Sequence, residues 1–344
     1  MARGWPYGSV GGEDVPISGY GVLKGSVVDS RTETTDTPHY QIHLDAAGVQ
    51  FRCAVNIRSQ QSPPELLFLA VDDLRHPVIE LLSGLPEGFT EIESRPGGIA
   101  LDYIRANLFD HNAMRPAPTS LPGPDNDLGE FIDHYVKQAQ SDPAARLYVF
   151  GQRWGPESKR DKIFGFTPGN GVHDVHMNQG NKGGFVADNG VWQDGALLAY
   201  LPATDLWVGV FLAFGSQSWH TDDVTGHALE EVPVPTEPDG VLRIVAALVN
   251  PAGPAPERET VTLLNASPDE LDLDGWAIAD RLKNRQPLTG TIPPGAARLV
   301  ELGPPVTLGN DGGIITLLDP LGLKVHGVAY TSAQTAREGW SITF

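Results

Sequence analysis

The chain has 344 residues, with 24 Lys and Arg against 43 Asp and Glu and a formal net charge of -19. This length is enough for two domains that each bury a core. Proteins that hold duplex nucleic acid neutralise its phosphates with clustered cations, so the acidic balance argues against a generic nucleic-acid-binding protein. It leaves a nuclease open, because a bound divalent cation can invert the local charge. The 39 Gly and 29 Pro punctuate turns and favour a mainly β architecture with a few helices.

Cys53 is the only cysteine of the chain, so no internal disulfide can form. At strand spacing it shares a face with Phe51 and Val55, which predicts a buried structural thiol rather than a nucleophile. Residues 1–6 lack the apolar core of a signal peptide, and no apolar run approaches the length of a membrane span. These features predict a cytoplasmic protein. Secretion by a route that needs no signal peptide remains open.

The first segment has the pattern of strands. Residues 20–28 lead through a polar loop into 39–45, and Gly48 then turns the chain into 49–57. The sequence therefore predicts a meander of at least three antiparallel strands.

Helices and further strands follow. Apolar residues recur at helical spacing over 101–108 and over 127–140, where Pro143 stops the pattern. Residues 146–153 predict a strand, and a second apolar block covers 196–214. Together these segments predict an α+β N-terminal domain of antiparallel strands.

Residues 230–240 are rich in Pro and acidic side chains, as expected for an exposed linker. We therefore predict domains at 1–229 and 241–344. The second domain contains seven short strand-like runs separated by turn residues, which indicates a β-sandwich. These runs are 242–249, 259–264, 275–279, 297–302, 313–318, 324–329 and 341–344.

The C-terminal motifs resemble those of the lamin tail domain. They are E-x-V-x-L-x-N at 259–265, D-L-x-G-W at 272–276 and N-D-G-G-x-I-x-L-x-D-P-x-G at 310–322. His326 departs from the pattern, where an Asp is more typical. The resemblance implies an immunoglobulin-like β-sandwich that serves interaction or anchoring rather than catalysis, and that in bacteria is often attached to a hydrolase.

The side-chain pattern of this segment agrees with that fold. Trp276 and Ile278 alternate toward the core, and residues 310–313 and 319–322 are predicted to form two tight hairpin turns. We predict no catalytic role for this half of the chain.

The densest polar stretch is Gly171 to Asn181. If it is extended, Asp174, His176 and Asn178 point to one side and His173 to the other. This set offers two metal ligands, or a base with its orienting partner. The alternative for His173 is a core histidine that is hydrogen-bonded to the backbone.

A second polar set lies on the predicted strand 39–45. Strand alternation places His39, Gln41, His43 and Asp45 on one face, above Tyr40, Ile42 and Leu44. The two imidazoles lie about 13 Å apart on a regular strand, too far to share one metal. A solvated strand face is the alternative. The neighbouring strand adds Arg52, Asn56 and Arg58.

Two further clusters lie near the end of the N-terminal half. Residues 217–223 follow an apolar strand, and His220 and Asp222 there could act as a base with its orienting partner or as metal ligands. The alternative is a loop that caps a following helix. Residues 188–195 predict a hairpin that exposes Trp192 and Asp194.

These stretches resemble a bacterial family, the YukJ-like proteins of unknown function. The resemblance spans roughly 18–228. It is carried by H-Y-Q-I-H at 39–43, L-D-Y-I-R at 101–105, G-x-H-D-x-H-M-N-Q-G at 171–180 and Q-S-W-H-T at 217–221. It implies that the His, Asp and Asn positions belong to one recurrent unit. It brings no established activity.

The motifs of P-loop, Rossmann, α/β-hydrolase and zincin enzymes are absent from the sequence. We therefore predict a metal-assisted hydrolase, with phosphodiesters as a candidate substrate class, in which a divalent ion of unknown identity activates water. His173, Asp174 and His176 would supply ligands or the base, and Asn178 and Gln179 would orient the substrate. The site would be completed by His220 and Asp222, with His39, His43, Arg58, Trp192 and Asp194 as binding residues.

The competing hypothesis is a non-enzymatic binding or scaffold protein. In that case the histidine-rich face is a ligand groove or a hydrogen-bonded network, and the lamin-tail segment holds a protein partner.

Overall fold

The structure is a computed structural model that describes residues 19–32, 39–59, 66–92, 95, 97–101, 113–119, 127–175, 194–214, 240–253, 258–322 and 324–344. Over these residues the chain is mainly β with a few helices, as predicted. The helices are α1 (Val78–Ser83), α2 (Asp127–Ser141) and α3 (Ser332–Thr335). None of these helices is long and apolar enough to cross a membrane.

Ten strands of the N-terminal part form one sheet in the order β5-β1-β2-β3-β8-β7-β9-β10-β4-β6. Their bounds are β1 (Tyr20–Thr32), β2 (His39–Ala46), β3 (Val49–Asn56), β4 (Leu66–Val71), β5 (Gly88–Glu91), β6 (Arg115–Pro116), β7 (Arg146–Glu157), β8 (Gly169–His173), β9 (Gly195–Leu201) and β10 (Leu206–Phe214). The predicted meander is confirmed by β1, β2 and β3.

Five of these strands close into a barrel. The second half of β1 pairs with β2, and its first half pairs with β7, so the ring β1-β2-β3-β8-β7 returns to β1. Contrary to the all-antiparallel prediction, β3 and β8 run parallel. This strand order, with one parallel pair and a helix between the third and fourth barrel strands, is the connectivity of the oligonucleotide/oligosaccharide-binding (OB) barrel.

Helix α2 contacts the barrel because one of its faces is apolar. Leu128, Ile132 and Val136 recur at helical spacing and pack into the same core as the barrel residues. On β2 the hydroxyl of Tyr40 donates a 2.6 Å hydrogen bond to Asp133 of this helix and lies 3.0 Å from the hydroxyl of Ser30. The predicted helix over 127–140 is therefore confirmed, and a partly buried hydrogen bond fixes it to the barrel wall.

The sheet continues beyond the barrel through β9, β10, β4 and β6. Its second face carries another apolar cluster, in which Phe150 and Phe211 pack with Val78 and Leu82 of α1. Both faces of this extension are therefore covered, which explains why β9 and β10 are nearly continuous apolar runs.

The C-terminal strands form two four-stranded sheets, β17-β12-β11-β20 and β15-β14-β18-β19, and the two-stranded pair β13-β16. Their bounds are β11 (Leu242–Leu248), β12 (Thr260–Asn265), β13 (Leu271–Asp272), β14 (Ala277–Ala279), β15 (Arg285–Pro287), β16 (Thr291–Ile292), β17 (Ala297–Glu301), β18 (Gly312–Leu318), β19 (Lys324–Thr331) and β20 (Ile342–Thr343). Each of the seven predicted runs overlaps a strand.

The two four-stranded sheets share one core, which includes Trp276 and Ile278 as predicted. The turn at 319–322 joins the paired strands β18 and β19, and it is closed by a 2.9 Å bond from Gly322 N–H to the Asp319 carbonyl. The hairpin prediction for 310–313 is wrong. That turn leads into β18 from β17, which belongs to the other sheet, so the chain changes sheets there.

The two parts of the chain touch at α1. Ser332 of α3 bonds to the carboxylate of Glu80, and a Cβ on Gly312 would lie 3.3 Å from Pro77, directly before α1. The predicted helix 101–108 lies outside the described residues after Leu101, and so does the linker up to residue 239.

The contact between Tyr40 and Asp133 gives a first prediction. Tyr40→Phe removes the hydroxyl that joins α2 to β2 and should lower the free energy of unfolding by about 1–2 kcal/mol, the order expected for a partly buried hydrogen bond to a carboxylate. Urea unfolding measures the change. Tyr135→Phe on the same helix is the control, because it removes a hydroxyl outside this network, and an equal loss in both variants would contradict the assignment.

Candidate functional site

The outer face of β2 carries the predicted polar set. Tyr40, Ile42 and Leu44 are fully buried in the barrel core, so the alternate residues of the strand lie outside. On that side His39 and His43 are half-buried, whereas Gln41 is buried. The predicted alternation of this strand is confirmed.

His39 and His173 are in contact although 134 positions separate them in the sequence. Their ring centroids lie 4.6 Å apart at an interplanar angle of 87°, an edge-to-face arrangement. The contact exists because β3 lies between β2 and β8. Asn56 of β3 is opposite His39 of β2, and Ala54 of β3 is opposite His173 of β8.

The surroundings of His39 disfavour its charged form. Neighbouring protein atoms desolvate the half-buried ring, and this desolvation is the largest cause that lowers the pKa of His39 well below its usual value. His173 and the positive charges of Arg52, Lys162 and Arg58 lower it further. His39 is therefore neutral at neutral pH, and it lies within reach of several cations.

Asp174 lies behind this pair and is fully buried. Its two carboxylate oxygens accept 3.1 Å hydrogen bonds from the backbone N–H of Asn56, and Oδ1 accepts another from the Asn56 side chain. Burial raises the pKa of Asp174 to about 7, although bonds from Val175 and Asn56 oppose the shift. Its Oδ1 lies 4.0 Å from Nδ1 of His173, so a carboxyl group that titrates near neutrality stands beside an imidazole.

Close backbone packing positions this segment. A Cβ on Gly151 of β7 would lie 2.0 Å from the carbonyl oxygen of His173, and a Cβ on Gly195 would lie 2.4 Å from that of Asp174. Only glycine allows such an approach at both positions. The two glycines therefore set the position of His173 and Asp174 against β7 and β9.

His43 belongs to a different contact. Its ring stacks on Phe164 and Phe166, with centroid distances of 5.0 and 4.9 Å. Both phenylalanines lie on the loop between β7 and β8, residues 158–168, which we call the strap. His43 therefore contacts the strap, about 13 Å along the strand from His39.

A buried ion pair fixes the strap to the barrel. Arg52 of β3 contacts Asp161 at 2.7 Å, donates a 2.9 Å bond to Gln41 and lies over the ring of Trp154 at 4.6 Å. Desolvation alone would raise the pKa of Asp161, but hydrogen bonds from Phe164 and Arg52 outweigh it and lower the pKa. The carboxylate thus stays charged and holds the strap on β3.

Sequence reasoning missed the strap residues. Asp161, Phe164 and Phe166 had no motif to mark them, and Trp154 was not singled out. The available signal was composition, because residues 158–168 combine three cations with two aromatic rings between two strands.

The other predicted site residues fall into two groups. Arg58 is half-buried and lowers the pKa of His39, whereas Asp194 is buried and its backbone carbonyl lies 3.2 Å from the hydroxyl of Tyr20. The second group lies outside the described residues: His176, Asn178, Gln179, Trp192, His220 and Asp222.

The described residues contain no group of three or more His, Cys, Asp or Glu side chains that could hold a metal ion. Of the predicted ligands, His173 and Asp174 are adjacent, and the third, His176, is not among these residues. Cys53 is fully buried in the barrel, and burial raises the pKa of its thiol, so the prediction of a structural cysteine is confirmed.

The barrel and the His39–His173 contact lie within the segment that known proteins share. Residues 15–226, more than half of the chain, match the family of uncharacterized conserved proteins DUF2278. The chain belongs to this family. The uncharacterized protein YukJ of Bacillus subtilis (strain 168) is 47% identical over 211 residues, which cover 60% of this chain and 92% of YukJ. No solved structure matches the chain.

The burial of Asp174 gives a second prediction. Because its pKa is raised from 3.8 to about 7 on folding, the folded state holds a proton that the unfolded chain releases. The stabilisation that comes from this proton on Asp174 is complete below pH 3.8 and is lost as the pH rises to about 7. Asp174→Asn removes this titration, so the free energy of unfolding of the wild type should fall relative to the variant across this window. Urea unfolding at several pH values measures the difference, and parallel curves would contradict the shift.

Proposed function

We propose that this protein hydrolyses a phosphate ester at the contact between His39 and His173. The observation that carries the proposal is the pair of imidazoles 4.6 Å apart, with the buried carboxyl group of Asp174 beside one of them. Paired proton carriers of this kind are what general acid–base catalysis needs.

In this proposal the two histidines divide the proton transfers. Neutral His39 accepts a proton from the water that attacks phosphorus. His173, whose Nδ1 lies 4.0 Å from Oδ1 of Asp174, donates a proton to the leaving oxygen as the phosphorus–oxygen bond breaks.

The cations near His39 fit an anionic substrate. Arg52, Arg58 and Lys162 all lower the pKa of His39. A bound phosphate group would oppose this effect and bring the pKa of His39 back toward neutrality, where general bases work best. His39 would thus become an effective base only when the substrate is present.

The metal-assisted route remains a second form of the proposal. In it a divalent ion is bound by His173, Asp174 and His176. The substrate is oriented by Asn178 and Gln179, and the site is completed by His220 and Asp222. One contact favours the metal-free route. Both carboxylate oxygens of Asp174 already accept hydrogen bonds from Asn56, which leaves the group engaged within the fold.

The non-enzymatic alternative is supported by the stacking of His43 on Phe164 and Phe166, which suits a ligand-binding face. For the C-terminal part, the resemblance to lamin tail domains supports an interaction or anchoring role. The bond between Ser332 and Glu80 would hold such a module against α1.

The test is hydrolysis of bis(p-nitrophenyl) phosphate by purified protein. His39→Ala and His173→Ala should each lower the rate about 100-fold or more, the usual contribution of a positioned acid or base. His134→Ala, which removes an exposed imidazole on α2, is the matched control and should keep the rate.

Elemental analysis by inductively coupled plasma spectrometry separates the two routes. A metal-free protein with full activity supports the acid–base route, whereas stoichiometric metal that is lost together with activity supports the metal route. A protein with no hydrolysis, or unchanged rates in both variants, would refute the enzyme and leave the binding alternative.

A further inference from the structure

The strap carries three cations close together on this acidic chain. Within residues 158–168 the side chains of Lys159, Arg160 and Lys162 are exposed. The only acid in that range is Asp161, which is buried and paired with Arg52. The outer surface of the strap is therefore positive, although the chain as a whole carries a formal charge of -19.

Aromatic rings lie beside these cations. Phe164 and Phe166 are half-buried on the strap and stack on His43, and Trp154 is half-buried on β7, before the strap begins. Arg31 of β1 extends the set, because it lies over the ring of Phe164 at 5.1 Å and donates a 3.1 Å bond to the Ile163 carbonyl. Positive charge and flat rings thus share one side of the barrel.

Both features lie on the strap, the loop between the fourth and fifth barrel strands, which contacts His43 of β2 and Arg52 of β3. The OB barrel by itself does not establish a function, so the function is inferred from the side chains on this surface. Sites for single-stranded nucleic acid have two components: cations that contact the phosphates and aromatic rings on which the bases stack.

We propose that the β2–β3 face beside the strap binds single-stranded nucleic acid, with phosphates on Lys159 and Lys162 and bases on Phe164 and Phe166. The strand would continue along β2 from His43 toward His39. The inference rests on the proposed function for what happens at His39, since a bound strand would present a phosphodiester there. Binding itself requires no hydrolysis.

A single strand fits better than a duplex for two reasons. Its unstacked bases can reach aromatic side chains, whereas those of a duplex are stacked on each other. A duplex offers mainly phosphates, and the acidic remainder of this chain repels them over a longer surface.

The experiment measures the binding of the full chain to fluorescein-labelled single-stranded RNA and DNA of about 12 nucleotides by fluorescence anisotropy, a length within the usual range for one OB barrel. A duplex of the same sequence and a sulfated heparin oligosaccharide are the comparison probes. We expect the single strands to bind more tightly than either of them.

Two variants test the two components. Lys159→Ala/Lys162→Ala should weaken binding and reduce the slope of log affinity against log salt by about 1.4, since each phosphate contact on a single strand contributes about 0.7. Phe166→Leu should weaken binding about 5-fold or more without changing the slope, because base stacking is lost. Arg75→Ala/Arg258→Ala removes the same charge from exposed sites outside the barrel and should bind like the wild type.

Circular dichroism of each variant shows whether it is folded, and the wild-type ranking of the probes tests the inference independently of any variant. Equal binding of heparin and single strands, or no binding of single strands at low salt, would overturn the inference. The wild type separates the two proposals. Strands that bind the wild type, while neither strand nor ester is cleaved, refute the hydrolase alone, whereas ester hydrolysis without strand binding refutes this inference alone. His173→Ala should bind strands like the wild type and lose cleavage.

Discussion

The closure of the barrel through β1 is the constraint on which the rest of the N-terminal structure depends. One half of this strand pairs with β7 and the other with β2, so five strands enclose a single core. Once the ring is closed, every barrel strand has an inner and an outer side. The polar residues of β2 and β3 then have only the outer side available, and β8 is held next to β3.

Desolvation determines the chemistry of the outer side. His39 and Asp174 both lie where water is largely excluded, and in both cases burial is the main cause of the pKa shift toward the neutral form. Asp161 is also buried, but its hydrogen bonds and its pairing with Arg52 keep it charged. Asp161 is less completely desolvated than Asp174, and its backbone hydrogen bonds together with Arg52 lower its pKa, so it forms a structural ion pair.

The charge of the chain is distributed unevenly, and this bears on both proposals. The acidic net charge argued against nucleic acid as a partner. A net charge, however, says nothing about where the charged side chains lie. The structure places Lys159, Arg160 and Lys162 on one loop over the barrel and keeps the neighbouring acid buried. An acidic remainder around a positive face can favour one orientation of an anionic ligand and suppress binding elsewhere.

The sequence by itself determined the local elements. Alternation fixed which side of β2 is buried, the apolar stripe fixed α2, and turn residues separated the C-terminal strands, because each of these patterns is a property of consecutive residues. Only the tertiary structure decided that β3 and β8 are parallel neighbours, that His39 meets His173, and that the strap covers His43. Strand alternation states which side a residue takes but not which distant strand lies next to it. That choice depends on closing long loops and burying a common core, and no local pattern encodes it.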